Sequence, residues 1–254
     1  MRGLTIEKRI LDLAISIPAF AACTLLFLAI AVALRATRDR GPLFHRAARV
    51  GEGGRMITVL KLRTMRIGMG GPALTRHDDP RITSVGRVLR RTKLDELPQL
   101  LNVIRGDMSL VGPRPEDPAF VVWDDPAHAV VFRARPGITG LAQLIYADEE
   151  RLHAGLDTDR RYRSEILPAK VRIDSWYLAH RTMRLDVRIL VETLAVTWRR
   201  SRSGPMSAER LLLRVGAPSQ LGEVPQEGHP DGDERGREDD DRGLAPPQGL
   251  AGSG

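Results

Sequence analysis

Aromatic side chains are scarce in this 254-residue sequence: five Phe, three Tyr and three Trp, 4% of the chain. Stacking platforms for single-stranded nucleic acid therefore have little to be built from. Cysteine is scarcer still. Cys23 stands alone, which excludes a disulfide scaffold and a cysteine-based zinc site and indicates a reduced, cytoplasm-facing domain. None of the six histidines has a near partner at zinc-ligand spacing. There is no Walker-type loop, no glycine-rich dinucleotide fingerprint and no internal repeat. Lysine is short as well. Only Lys8, Lys61, Lys93 and Lys170 accompany the arginines among 39 cationic residues.

What the chain does carry is arginine, whose planar fork suits bidentate phosphate contacts. The net charge of +7 is uneven: residues 216–254 hold nine acidic and three basic groups, which leaves +13 on the rest. Such a body points to a polyanionic partner, whether nucleic acid, anionic lipid or the phosphates of a nucleotide. Residues 216–254 are dominated by Pro, Gly, Asp and Glu without an apolar period, and read as a disordered acidic tail.

Residues 10–34 (ILDLAISIPAFAACTLLFLAIAVAL) form an apolar stretch of 25 with one charge, Asp12. About 20 residues suffice to cross a bilayer. The length of the run and the lack of a small-residue cleavage site argue against a cleaved signal peptide. Arg2, Lys8 and Arg9 precede it and Arg35, Arg38, Arg40, Arg46 and Arg49 follow it. A simple span would place one basic flank on the wrong side. Pro18, with Ser16 near it, stands at mid-depth, where proline frees a carbonyl and kinks a helix. A re-entrant helix bent at Pro18, both ends on the cytoplasmic face, accounts for both observations. A kinked single span is the alternative.

Residues 42–50 and 56–62 read as two strands around the Gly51-Glu52-Gly53-Gly54 turn. Residues 68–80 read as a loop. Residues 82–93 and 96–105 have helical spacing, and 121–132 contain a short helix. Residues 171–200 form one long helical pattern without proline or glycine, either packed or lying in a membrane interface. The fold class is thus α+β and helix-rich.

Asp95 and Glu96 open an apolar helical period. Alone, such a pair marks a helix start, with Asp95 as the N-cap and Pro98 in the first turn. Here Arg87, Arg90, Arg91 and Lys93 lie just upstream. A carboxylate among cations is held anionic and can act as a nucleophile. A second beside it could hold a divalent metal against a diphosphate. Lys61 and Arg63 share one strand face by alternation, with Thr64 on the other. Arg114, between Pro113 and Pro115, starts pre-positioned. Lys61, Arg63 and Arg114 are candidate phosphate contacts, and each alone is equally a solvated surface charge.

The segments Gly41-Pro42-Leu43-Phe44, Lys61-Leu62-Arg63-Thr64-Met65, Asp79-Pro80-Arg81-Ile82-Thr83, Leu94-Asp95-Glu96-Leu97-Pro98-Gln99-Leu100, Asn102-Val103, Gly106-Asp107-Met108-Ser109-Leu110-Val111-Gly112-Pro113-Arg114-Pro115 and Arg135-Pro136-Gly137-Ile138-Thr139-Gly140 resemble the bacterial sugar transferase family. These are monotopic phosphoglycosyl transferases of bacterial membranes. The likeness runs over roughly residues 5–200, in the family's order. It implies a re-entrant helix bent at Pro18 in residues 1–40, a catalytic domain over 41–202 with interfacial amphipathic helices, and a linker and tail over 203–254.

The resemblance also implies a mechanism. Asp95 attacks the β-phosphate of a UDP-sugar and UMP leaves. Polyprenyl phosphate then takes the phosphosugar, which initiates exopolysaccharide or other glycan assembly. Glu96 binds Mg2+, Arg90 and Arg114 hold phosphates, membrane lipids surround the N-terminal helix, and nucleic acid is not a partner. The domain is expected on the cytoplasmic face of the bacterial inner membrane. Three positions depart from the family's habit: Lys93 stands where Ser is common, Leu141 where Trp is common, and a usual Gln is missing near Ala47. Larger relatives carry a multi-span N-terminal region, whereas this sequence is read as starting at the catalytic unit. An inactive anchored member and a basic nucleic-acid binder are the rival readings. The intact Asp95-Glu96 pair opposes the first, and the ordered motifs oppose the second.

Overall fold

The long apolar run becomes helix α1 (Arg2–Ala36) in the computed structural model, which describes residues 2–36, 41–71, 74–75, 79–147, 158–200 and 207–222. All of these belong to one unit, Met1–Val224. At 1.5 Å per residue, α1 is ~50 Å long, more than the ~30 Å hydrocarbon layer of a bilayer. It continues through Pro18 and is fastened near both ends to the same body. At its start, Arg9 donates to the carbonyls of Val103 (2.6 Å) and Ile104 (2.8 Å). Buried Asp12 accepts from the Leu110 amide at 3.0 Å, so the one charge in the run is satisfied within the protein. Toward its end, Phe27 and Ile30 pack with Leu62 and Leu89. The remaining face is apolar and exposed at Ile6, Ile10, Ile17, Leu25, Leu28 and Val32.

Strands β1 (Phe44–Val50) and β2 (Met56–Leu62) form the expected antiparallel hairpin, with Phe44 opposite Leu62 and Val50 opposite Met56. The turn between them is tied down by the Gly53 amide, which donates to the Phe132 carbonyl at 2.7 Å. Helix α2 (Ser84–Thr92) is capped by Thr83, whose hydroxyl accepts from the Gly86 amide. Gly86 lies so close to β2 that a Cβ there would stand 2.0 Å from the Thr64 carbonyl. Helix α3 (Gln99–Arg105) follows after a separate 3₁₀ turn, Leu94–Glu96.

Two short parallel strands had no signature in the sequence. β3 (Ser109–Val111) pairs with β4 (Gly137–Thr139), with Ser109 opposite Gly137 and Val111 opposite Thr139. A Cβ on Gly137 would stand 2.2 Å from the Gly112 amide nitrogen, so only glycine allows this approach. Helix α4 (Pro126–Val131) precedes β4 and α5 (Leu141–Ile145) follows it. Leu141, in place of the family's usual Trp, is fully buried.

The helix expected over 171–200 is two. After α6 (Thr158–Arg161) and a π-helical turn (Tyr162–Ile166), α7 (Leu167–His180) ends at Arg181, whose ψ of 131° leaves the helical region. Helix α8 (Met183–Arg200) then starts afresh. The break needs neither Pro nor Gly because Thr182 caps the new helix: the Leu185 amide donates to its hydroxyl at 3.2 Å. Tyr177 and Lys8 both donate to Asp186 in the first turn of α8. Leu185, Ile189 and Val196 face the core, while Val187, Val191, Leu194 and Trp198 form an exposed apolar stripe.

The linker expected from residue 203 contains a further helix, α9 (Ala208–Val215), closed by Gly216 at φ 76°. Leu211, Leu212 and Val215 are buried in the main core with Ile189 and Leu144, which makes α9 part of the domain. The acidic tail lies outside the described residues from 223 onward, as do 72–73 and 76–78 of the expected loop.

Candidate active site

Two tight backbone turns put Asp95 and Glu96 in place. Helix α2 ends at Lys93, the one non-glycine residue with positive φ (58°) among the described residues. Its amide donates back to the Arg90 and Leu89 carbonyls, and the chain reverses into the 3₁₀ turn. Asp95 therefore does not cap α3, because α3 begins at Gln99 with Pro98 ahead of it. The carboxylate pair sits in the connection between two helices.

Asn102 fixes that connection against the hairpin. Its amide donates to the Thr58 carbonyl at 2.7 Å and its oxygen accepts from the Leu60 amide at 3.0 Å. A single buried side chain thus completes the edge of β2 that β1 leaves open. Lys61, the next residue on β2, reaches Glu96 Oε1 at 3.3 Å. Arg114 reaches the same oxygen at 3.5 Å. Arg114 rides on the end of β3, where Pro113 accepts from the Gly137 amide at 2.8 Å and Gly112 donates to Thr139 at 2.9 Å. Beneath it, buried Asp174 accepts from the backbone amides of Arg114 and Ala142. Lys170 donates to Tyr162, which donates to Glu116 at 2.9 Å, so α7 holds the same loop at two points.

The other candidates are close by with different duties. Arg90 donates to the Thr64 hydroxyl at 3.2 Å. Arg63 is buried, and its Nε donates to the Pro42 carbonyl at 2.8 Å. The Asp-Pro-Arg-Ile-Thr segment is a local clamp, Arg81 gripping both oxygens of Asp79 within 2.6–3.0 Å. Asn102, Lys170 and Asp174 were not singled out in the sequence, and Thr64 was placed there only on the strand face opposite Lys61 and Arg63. Asn102 lies in a segment of the resemblance, which was its only signal.

The two carboxylates differ in charge behaviour. Burial and the neighbouring charge of Glu96 push Asp95 up to about 6, against the pull of Lys61, Lys93 and Arg90. Burial also works against ionised Glu96, but Lys61, Lys93 and Arg114 outweigh it and hold Glu96 well below the usual carboxylate range. Burial pulls Lys61 below the ordinary lysine value, with Glu96 opposing. Asp95 Oδ1 is buried with no hydrogen-bond partner. An unpartnered carboxylate oxygen beside a carboxylate whose ionised form is favoured, with Lys61, Lys93, Arg90 and Arg114 around the pair, is an arrangement that can meet a phosphoryl group.

The family profile described as Bacterial sugar transferase matches residues 4–200. The chain belongs to the bacterial sugar transferase family. Among curated relatives it is 40% identical over 202 residues to the UDP-glucose:undecaprenyl-phosphate glucose-1-phosphate transferase of Caulobacter vibrioides, covering 76% of this chain and 70% of that protein. It is 36% identical over 203 residues to the undecaprenyl-phosphate galactose phosphotransferase of Salmonella typhimurium, covering 70% of this chain and 39% of the relative. It is 42% identical over 156 residues to the exopolysaccharide production protein ExoY of Sinorhizobium fredii, covering 55% of this chain and 69% of the relative. The chain thus spans less than half of the longer Salmonella protein.

Proposed function

We propose that this sugar transferase is a phosphoglycosyl transferase that moves a sugar-1-phosphate from a UDP-sugar to polyprenyl phosphate through an aspartyl-phosphosugar on Asp95, at the start of exopolysaccharide or other glycan assembly. The observation that carries the mechanism is the unpartnered Asp95 Oδ1 beside an ionised Glu96. An Asp95 oxygen attacks the β-phosphorus and forms the new P–O bond. The bond from that phosphorus to the bridging oxygen breaks, and UMP leaves with the electron pair. An oxygen of the lipid phosphate then attacks the same phosphorus, which returns Asp95 as a free carboxylate. Lys61, Arg90 and Arg114 supply the cations that face the phosphates, whereas Arg63 is buried against the Pro42 carbonyl.

The donor set fits magnesium, which takes oxygen ligands and is commonly shared between one or two carboxylates and substrate phosphates. Among the described residues no group of three or more His, Cys, Asp or Glu forms a protein-only cage. Glu96, with Asp95 beside it, would hold the ion, which would neutralise charge on the diphosphate when bound.

The membrane assignment rests on the exposed apolar faces of α1 and α8. Because α1 is fastened near Arg9 and again near Phe27 to one domain, both its ends belong on the cytoplasmic side of the bacterial inner membrane, the re-entrant arrangement. The stripe of Val187, Val191, Leu194 and Trp198 suits an interfacial helix among membrane lipids.

The test is single turnover. Incubation with a UDP-sugar and magnesium, without lipid acceptor, releases about one UMP per active enzyme. Mass spectrometry then finds a phosphosugar on the peptide holding Asp95, and Asp95→Asn abolishes both signals. Near-normal turnover by Asp95→Asn would replace this mechanism with direct attack by the lipid phosphate.

A further inference from the structure

A second cation-rich concavity is lined by β3 and by Gly112 and Pro113, the residues that lead into Arg114. It encloses about 140 Å³ between the start of α1, β3, the residues before β4, and the end of α7. Such a space holds several waters or one phosphate-sized group. Its wall carries five cations, Lys8, Arg9, Arg133, Arg135 and Arg181, against two acids, Asp12 and Glu52.

Most of these charges are already committed. Lys8 pairs with Asp186 at 2.5 Å, Arg9 binds two α3 carbonyls, and Arg135 pairs with Glu52 at 3.2 Å. Asp12 is engaged by the Leu110 amide. The guanidinium groups of Arg133 and Arg181 remain, with no side-chain hydrogen bond or ion pair among the described residues. The floor supplies an independent sign. Ser109 lines the cavity at 1% exposure, and its hydroxyl is buried with no hydrogen-bond partner. A buried, unmatched hydroxyl in the same cavity wall as two guanidinium groups without side-chain partners is a donor set suited to an anionic acceptor.

We infer that this cavity is a phosphate-binding site separate from the Asp95–Glu96 centre, and that it takes an anionic phosphate group borne on a lipid or free in solution. Its position favours the lipid: Lys8 and Arg9 stand where α1 passes from the domain into its apolar run. Gly112 and Pro113 line it as well, so its occupant touches the backbone that leads into Arg114. The site stands whether or not Asp95 is the nucleophile.

The full chain in an uncharged detergent tests it by thermal melting. Dihexanoyl phosphatidic acid gives a saturable rise in melting temperature, and dihexanoyl phosphatidylcholine gives none. The double variant Arg133→Gln/Arg181→Gln, whose first residue is exposed and second half-exposed, folds and binds roughly tenfold more weakly. Ser109→Ala leaves the ligand-free melting temperature equal or higher, because an unsatisfied hydroxyl is removed, yet weakens the ligand-induced rise. Arg114→Gln retains the response. Inorganic phosphate separates the two sources: a rise at similar concentration marks a site for free phosphate, and a far weaker one marks a lipid headgroup. The inference is overturned if no saturable rise occurs, if the double variant responds like the parent, or if Arg114→Gln alone abolishes it.

Discussion

Lys61 and Glu96 are 35 positions apart in the chain, and their side chains meet at 3.3 Å because one residue, Asn102, ties α3 to the edge of β2. The cation and the carboxylate are thus held in register by a hydrogen-bonded pin that is neither of them. Replacing Asn102 with Ala leaves the Thr58 carbonyl and the Leu60 amide without that pin. Chemical denaturation is expected to show a loss of about 1–3 kcal/mol. Turnover falls more than stability alone explains, since the folded fraction also loses the Lys61–Glu96 contact; equal losses in both would deny Asn102 its positioning role.

Asp95 links activity to pH. Its ordinary value is 3.8, and burial with the charge of Glu96 raises it to about 6. Stability from this group is full below the unfolded value and lost as pH rises through about 6, so ionised Asp95 strains the fold at neutral pH. Asp95→Asn is therefore expected to stabilise the substrate-free protein at pH 7.5 by about 1–3 kcal/mol, and the gap to close toward pH 4. With the Asp95 carboxylate as the proposed nucleophile, kcat/KM is expected to fall as pH drops through about 6. A variant no more stable than its parent at pH 7.5 would contradict the raised value.

Lys93 has two effects that one substitution separates. Its left-handed backbone is unfavourable for any residue with a Cβ, and its ammonium group pulls both carboxylates toward ionisation. Lys93→Gly is expected to raise stability by about 0.5–1 kcal/mol through the backbone. The acid limb of the pH–rate profile moves upward at the same time, since Asp95 loses a cation. A stability gain without a shifted profile leaves only the backbone effect.

The hairpin was legible because a glycine-rich turn separates two alternating segments, and β2 matches residues 56–62. The strands β3 and β4 were not, because Ser109, Leu110 and Val111 are all buried and three residues show no alternation. The end of α7 was hidden for a different reason: Thr182 caps α8 where no helix breaker stands. Asp95 and Glu96 were visible through their basic company, yet their place before α3 depends on the αL turn at Lys93, which no propensity foretells. Charge marked Lys61 and Arg114 as candidates, and tertiary contacts bring both to Glu96.

Two truncations distinguish the end of the domain from the tail. Ending the chain after Val224 removes residues of strongly acidic composition and leaves turnover within a few-fold of the parent. Ending it before Ser207 removes Leu211, Leu212 and Val215 from the core, and limited proteolysis should then degrade the domain quickly. Similar behaviour of the two truncated chains would show that α9 adds nothing to the core.

The topology of α1 can be read by labelling from outside the cell. In a Cys23→Ser background, single cysteines at Gly3 and Arg38 should both resist a membrane-impermeant thiol reagent in intact cells. Labelling of either one replaces the re-entrant arrangement with a span.

Arg9 and Asp12 bind backbone groups of α3, which follows the carboxylate pair, and of β3, which leads to Arg114. The hydrophobic helix is in this sense a framework member of the enzyme as well as its mooring. Biogenesis inherits the constraint: α1 is synthesised before α3 and β3, and its Arg9 and Asp12 meet their partners only once those elements emerge and dock upon it. Cutting α1 away would leave the Val103 and Ile104 carbonyls and the Leu110 amide without these partners, so the apolar helix could not be removed without opening the frame it braces.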